Sequence, residues 1–199
     1  FIDNITISTE SSNNPVDPDD PDNPGDPDEP DVPDPIRNGE LFISEFCARN
    51  DTILEDEDKE SSDWIEIYNG KETAVNLEGY YLSDNTEDLT KWKFPAVTIQ
   101  PDQYLIVFAS TKDRRNPENE LHTNFALDGD KGQLVFLEPD SLTILSEFNY
   151  GEQVEDTSFG ELVSNNTFGF FDKPTPGAVN NTQQFASAPG EEIQFDKPG

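Results

Sequence analysis

The sequence predicts an all-β chain: an antiparallel two-sheet β-sandwich preceded by an extended Pro/Asp-rich linker. Three observations carry this. From Glu40 onward apolar residues recur at every second position, and no stretch repeats them at i, i+3, i+4 and i+7 over three turns. Turn-forming clusters interrupt that pattern at short intervals. Before it, "PVDPDDPDNPGDPDEPDVPDP" (15–35) places a proline at every third position, with eight aspartates and one glutamate in the gaps.

Taken in order, residues 1–14 ("FIDNITISTESSNN") read as one strand, carried by Phe1, Ile2, Ile5 and Ile7, and a polar run. A single strand has nothing to pair with, so this piece is expected to close a module truncated upstream, the alternative being an unstructured N-terminal tail. It shows neither the basic start nor the apolar run of a leader, which in a fragment says nothing of secretion. Residues 15–39 form the linker. Proline on a three-residue beat matches polyproline II, and repulsion among the carboxylates keeps it extended. At ~3.1 Å per residue, residues 15–35 reach roughly 65 Å when fully extended. Residues 40–180 hold both tryptophans and all five tyrosines, in a length typical of one domain with its own core. Residues 181–199 are a polar tail or a linker to a further module.

Within 40–180 the expected strands are "LFISEFCAR" (41–49), "DWIEIYN" (63–69), "YYLSD" (80–84), "KWKFP" (91–95), "YLIVFAS" (104–110), "QLVFLE" (133–138) and "TILSEFNY" (143–150). Strict alternation puts Phe42, Phe46 and Ala48 on one face of the first, with Ile43 and Cys47 opposite. In the second, Ile65 and Ile67 oppose Trp64, Glu66 and Tyr68. "DGDKG" (128–132) reads as a hairpin turn, where glycine supplies positive φ. Seven or more short strands with regular turns give an immunoglobulin-like sandwich.

The blocks "LFISEFCARN", "SDWIEIYNGKETAVNLEGYYLSD", "KWKFPAVTIQPDQYLIVFAS", "LHTNFALDGDKGQLVFLEPD", "TSFGEL" and "FFDKPTPGAVN" follow one another in order. Together they resemble the lamin tail domain in its bacterial form, over about residues 40–180. The resemblance implies an immunoglobulin-like β-sandwich, found in bacteria within large secreted or surface proteins. It implies no catalytic residues.

Charge narrows the function. The net charge is −31, and residues 40–180 alone carry 29 Asp and Glu against 10 Lys and Arg. Such a surface suits solubility in high salt and repels nucleic acid and anionic lipid. The one dense basic stretch, Lys112, Arg114 and Arg115, is interrupted by Asp113 and followed by Glu118 and Glu120. No binding to duplex DNA is expected. No apolar run reaches the ~20 residues of a membrane span. A lone Cys47 excludes an intrachain disulfide. Asn4, Asn50, Asn165 and Asn180 open N-x-[ST] triplets, too short a pattern to carry weight in a bacterial protein.

Each candidate site competes with a structural explanation. Trp64 and Trp92 resemble sugar-stacking platforms, yet both sit mid-strand, where packing is the default. Cys47 and His122 are the residue types of a nucleophile and its base, but no orienting group or oxyanion hole accompanies them. One cysteine and one histidine do not make a zinc site. The acidic run 55–63 is the best cation candidate, although it lacks the glycine and terminal glutamate of an EF-hand loop. The calcium candidates are Asp56, Asp58, Asp63, Asp128 and Asp130, against a default of solvated acidic loops and no cofactor. The function expected is a non-catalytic interaction or scaffolding module of a multidomain bacterial protein, secreted or at the cell surface. The alternative is a carbohydrate-binding accessory module of a secreted enzyme, marked by an exposed aromatic row. The partner is accordingly a protein or a carbohydrate.

Overall fold

The computed structural model describes residues 35–162 and 166–185; the sequence readings for 1–34 and 186–199 lie outside them. Fourteen strands and no helix appear among these residues. In chain order they are β1 (Ile36–Arg37), β2 (Leu41–Cys47), β3 (Asp63–Asn69), β4 (Val75–Asn76), β5 (Tyr81–Ser83), β6 (Trp92–Lys93) and β7 (Thr98–Ile99). Then follow β8 (Gln103–Ala109), β9 (Leu121–His122), β10 (Gly132–Leu137), β11 (Ile144–Tyr150), β12 (Ser158–Leu162), β13 (Thr167–Phe171) and β14 (Gln184–Phe185). The small sheet runs β1-β11-β10-β5-β6 and the large sheet β14-β13-β12-β2-β3-β8-β9, with β4-β7 a separate pair. All pairings are antiparallel except β8–β9. This is the expected immunoglobulin-like sandwich, with one parallel addition at an edge.

The core lies between the sheets. Ile43, Phe46, Ile65, Ile67 and Val107 of the large sheet meet Leu82, Leu134, Phe136 and Phe148 of the small one. Apolar burial of each such side chain contributes ~1.5–3 kcal/mol. Phe46 spans the gap, with its ring centroid 5.4 Å from that of Phe148 and 5.0 Å from that of Tyr150.

Phe42 and Phe46 do not share a face. The β2–β3 register slips between Ile43 and Glu45, leaving Ser44 as the extra residue of a β-bulge. The bulge reverses the alternation, so Ile43, Phe46 and Ala48 enter the core. Phe42 turns outward against Tyr68, and Cys47 outward against Trp64 and Phe108. β12 pairs with β2 only at Glu45 and Phe46. Further back, the Ile43 N–H donates across to Ser146 Oγ of the small sheet at 3.0 Å.

Two other expectations change. "DGDKG" is not a hairpin: it carries the chain from β9 in the large sheet to β10 in the small one. Neither Gly129 nor Gly132 has positive φ. Gly129 instead makes room for Arg49, whose Nε donates to its carbonyl at 3.2 Å and whose side chain would collide with any Cβ there. The linker boundary also moves. Ile36 and Arg37, expected within the linker, pair with Glu147 and Ser146 of β11. Beyond residue 180, Gln184 and Phe185 still pair with β13.

Candidate functional site

The outward face of the large sheet gathers Cys47, Trp64 and Glu66, while Asp63 of β3 lies on the Ile65 side. Register lines these side chains up in rows across strands. One row is Cys47–Trp64–Phe108–His122, one strand apart at each step. Three steps of ~4.8 Å put Cys47 and His122 about 14 Å apart, too far for proton transfer. Both are fully buried. The Cys47 thiol lies against the Thr157 carbonyl at 3.4 Å, and burial pushes it up to about 12. His122 stacks on Phe108, its Nδ1 shares a hydrogen bond with Ser110 Oγ at 2.8 Å, and burial lowers its pKa. Trp64 and Trp92 are also fully buried, so neither is a sugar platform.

The next row holds a pair of glutamates, Glu66, which alternation set opposite Ile65 and Ile67, and Glu45 beside it on β2. Glu45 and Glu66 are register partners on β2 and β3, and neither is exposed at all. The segment 172–180 lies over them. Glu66 accepts from Ser44 Oγ–H at 2.6 Å and from the Gly177 N–H at 2.6 Å. Glu45 accepts from the hydroxyl of Ser158, from the Thr175 N–H at 3.2 Å and from Thr175 Oγ1 at 3.2 Å. Asn180 pins the segment's end, donating to the Ser44 carbonyl at 2.8 Å and the Glu161 carbonyl at 3.0 Å. Like charges opposite one another in a sheet repel, and burial penalises each charge further. Burial raises the pKa of Glu45, and it raises Glu66 to about 8, with the charge on Glu45 adding to the effect. The pair therefore closes the sheet face as a hydrogen-bonded clasp. The only sequence signal for it was a glutamate inside each of two otherwise apolar strands.

A third row, Phe42–Tyr68–Tyr104, is aromatic. Phe42 is buried, and Tyr68 and Tyr104 are half-buried. Ring centroids are 5.6 Å and 4.8 Å apart along the row. The Arg37 guanidinium lies 3.9 Å from the Phe42 centroid and its Nε 3.0 Å from buried Glu161. Tyr68 donates to Asp102 at 2.9 Å.

The calcium candidates fall in three places. Asp56, Asp58 and Glu60 converge closely enough to hold a metal ion, and the Lys112 ammonium sits among them. It contacts Asp56, reaches Asp58 at 2.8 Å and Glu60 at 2.9 Å. Burial pushes the Asp56 carboxyl upward, and Lys112 with the loop N–H donors more than offsets this, leaving it below its ordinary value. Arg114 and Lys112 hold Asp58 down at about 2. Asp63 opens β3 apart from this group, raised by burial to about 6. Asp128 accepts from the Asp130 N–H, and Asp130 pairs with Arg49. The basic stretch is spent in the same network: Arg114 pairs with Asp58 at 2.6 Å and Glu57 at 2.9 Å, and Arg115 with Asp113 at 2.8 Å.

Lys112→Ala leaves the Asp56 carboxylate, whose side chain has no exposed surface, without its cation. A loss of ~1–3 kcal/mol in urea denaturation is expected. Millimolar calcium should recover part of that loss in the variant and leave the unaltered protein unchanged. Equal calcium stabilisation of both would show that the ammonium does not fill the place of a cation.

Among the described residues no helix is long and apolar enough to cross a membrane. A family model described as Lamin Tail Domain matches residues 35–158, more than half of the chain. No curated protein matches it.

Proposed function

This chain belongs to the lamin tail domain family, and on that premise we propose that it is a non-catalytic interaction and scaffolding module. Its setting would be a multidomain bacterial protein, secreted or at the cell surface. The family is one of immunoglobulin-like domains that take part in protein interactions. The observation that carries the non-catalytic reading is the clasp. Its two opposed carboxylates lie beneath Thr175 and Gly177, hydrogen-bonded to backbone and hydroxyl donors with no exposed surface. The ion-paired Lys112, Arg114 and Arg115 support the exclusion of nucleic acid, since counterion release requires free cations. The acidic composition and single cysteine support the bacterial setting.

A second reading, carbohydrate binding, is favoured by the half-buried Tyr68 and Tyr104 on the open sheet face. One experiment separates the two. The whole chain is tested on a displayed library of bacterial surface-protein segments, on a glycan array and against labelled duplex DNA. Saturable capture of a protein segment, with no duplex binding at physiological salt, is the expected result. Glycan capture abolished by Tyr68→Ala and Tyr104→Ala would transfer the function to the second reading. Duplex binding that weakens with salt would overturn the exclusion of nucleic acid.

A further inference from the structure

β8 is paired along its whole length with β3 on one side, but on the other β9 meets only Val107 and Phe108. Among the described residues no strand pairs with Gln103–Ile106 on that side. The Phe108 carbonyl accepts from the Thr123 N–H at 2.8 Å, which shows that the even-numbered residues of β8 turn their backbone groups to the open edge. Alternation then directs the N–H groups of Tyr104 and Ile106 the same way. Such an edge is a template for another strand. A groove of about 470 Å³ runs beside it, lined by Leu105, Ile106 and Val97 below and by the turn at 117–120. Its lining carries only acidic charge, on Glu57, Glu118 and Glu120. Asp102 precedes the open stretch, and Glu118 and Glu120 close it. Arg114 engages Glu57 on the same wall and Glu120 accepts from the Glu57 N–H, which leaves Glu118 to face a ligand.

We propose that the open edge of β8 at Gln103–Ile106 binds an extended basic peptide segment of a partner protein by strand addition. Main-chain hydrogen bonds to Tyr104 and Ile106 would carry the pairing, and alternate side chains would carry the selection. Apolar residues of the peptide fit beside Leu105, on the face opposite to Tyr104 and Ile106. Its Lys or Arg residues meet Glu118 and Asp102, and the ring of Tyr104 offers a cation–π surface. A second copy of this chain is the poorer occupant, because it would bring the same carboxylates together on molecules of net charge −31.

The inference rests on the interaction-module reading and is tested apart from it. The probe is acetyl-(Lys-Val)4-amide, added to the isotope-labelled full chain. It is compared with the same peptide N-methylated at every backbone amide, so that neither edge can pair, and with acetyl-(Glu-Val)4-amide. Aspartates in 15–35 will attract any basic peptide, so the readout is site-specific amide exchange. The basic peptide should slow exchange at Tyr104 and Ile106 at least tenfold; the N-methylated and acidic peptides should not. Glu118→Lys should weaken the effect about three- to tenfold. Ile106→Pro, which removes one edge donor and none directed at β3, should abolish it. Equal protection by the N-methylated peptide, or none at these two amides, overturns the proposal whether or not the proline variant folds. Concentration-dependent protection without peptide would assign the edge to a second copy instead. A partner captured in the library assay that leaves these amides unprotected would overturn the edge site and leave the module reading standing.

Discussion

Glu66→Gln should stabilise the sandwich at neutral and alkaline pH and flatten its pH dependence. In the folded chain burial lifts Glu66 from an ordinary 4.5 to about 8. Between those values the folded state holds a proton that the unfolded state has released. Folding then takes up a proton, so stability falls as pH rises. The stability tied to this proton is complete below about pH 4.5 and lost as pH passes about 8. At ~1.36 kcal/mol per unit, discounted for relaxation of the site, the variant should gain ~2–3 kcal/mol at pH 8. Glutamine keeps the geometry: its carbonyl faces the Gly177 N–H and its amide donates to Ser44 Oγ. Urea denaturation at pH 5, 7 and 9 measures this. Glu45, Asp63 and Glu161, all raised by burial, should supply the residual slope. A variant less stable than the parent at pH 9 would sink the account of the clasp.

Phe46→Ala should cost ~3–5 kcal/mol, within reach of the whole stability of such a domain. The ring is fully buried and touches Phe148 and Tyr150 of the opposite sheet and Phe159 of the adjacent strand. Backbone pairing of β2 with both neighbours prevents the cavity from collapsing. Phe42→Ala, one residue before the bulge's pair, removes an outward ring held by Tyr68 and Arg37. Its cost should be smaller, since no opposite sheet lies over it. Equal losses for the two, measured by urea midpoint at one pH, would place both rings on one face and contradict the bulge.

That comparison isolates what the pattern of residues conveys. Alternation located β2, β3, β8, β10 and β11, because β-branched and aromatic residues at every second position have one stable use, a half-buried strand. The two-residue strands β1, β4, β9 and β14 carry no such pattern, since a period cannot show in two positions. β1, β9 and β14 form because the longer β11, β8 and β13 present unpaired edges, and β4 forms by pairing with the equally short β7.

The sequence by itself determined the all-β class, the sandwich, the family and the strongly acidic character, all of which rest on local periodicity, ordered blocks and composition. Tertiary structure decided which face each side chain occupies and what each charge meets. The bulge at Ser44 moves Phe42 and Phe46 to opposite faces, and it shows only in the pairing of β2 with β3. Glu45 and Glu66 are buried by Thr175 and Gly177, more than a hundred residues away in the chain. Lys112 reaches Asp56 across 56 positions and occupies the centre of the acidic loop. A charge's solvation depends on what lies over it in space. In a sandwich the covering segment comes from a distant part of the chain, so neither alternation nor composition records it.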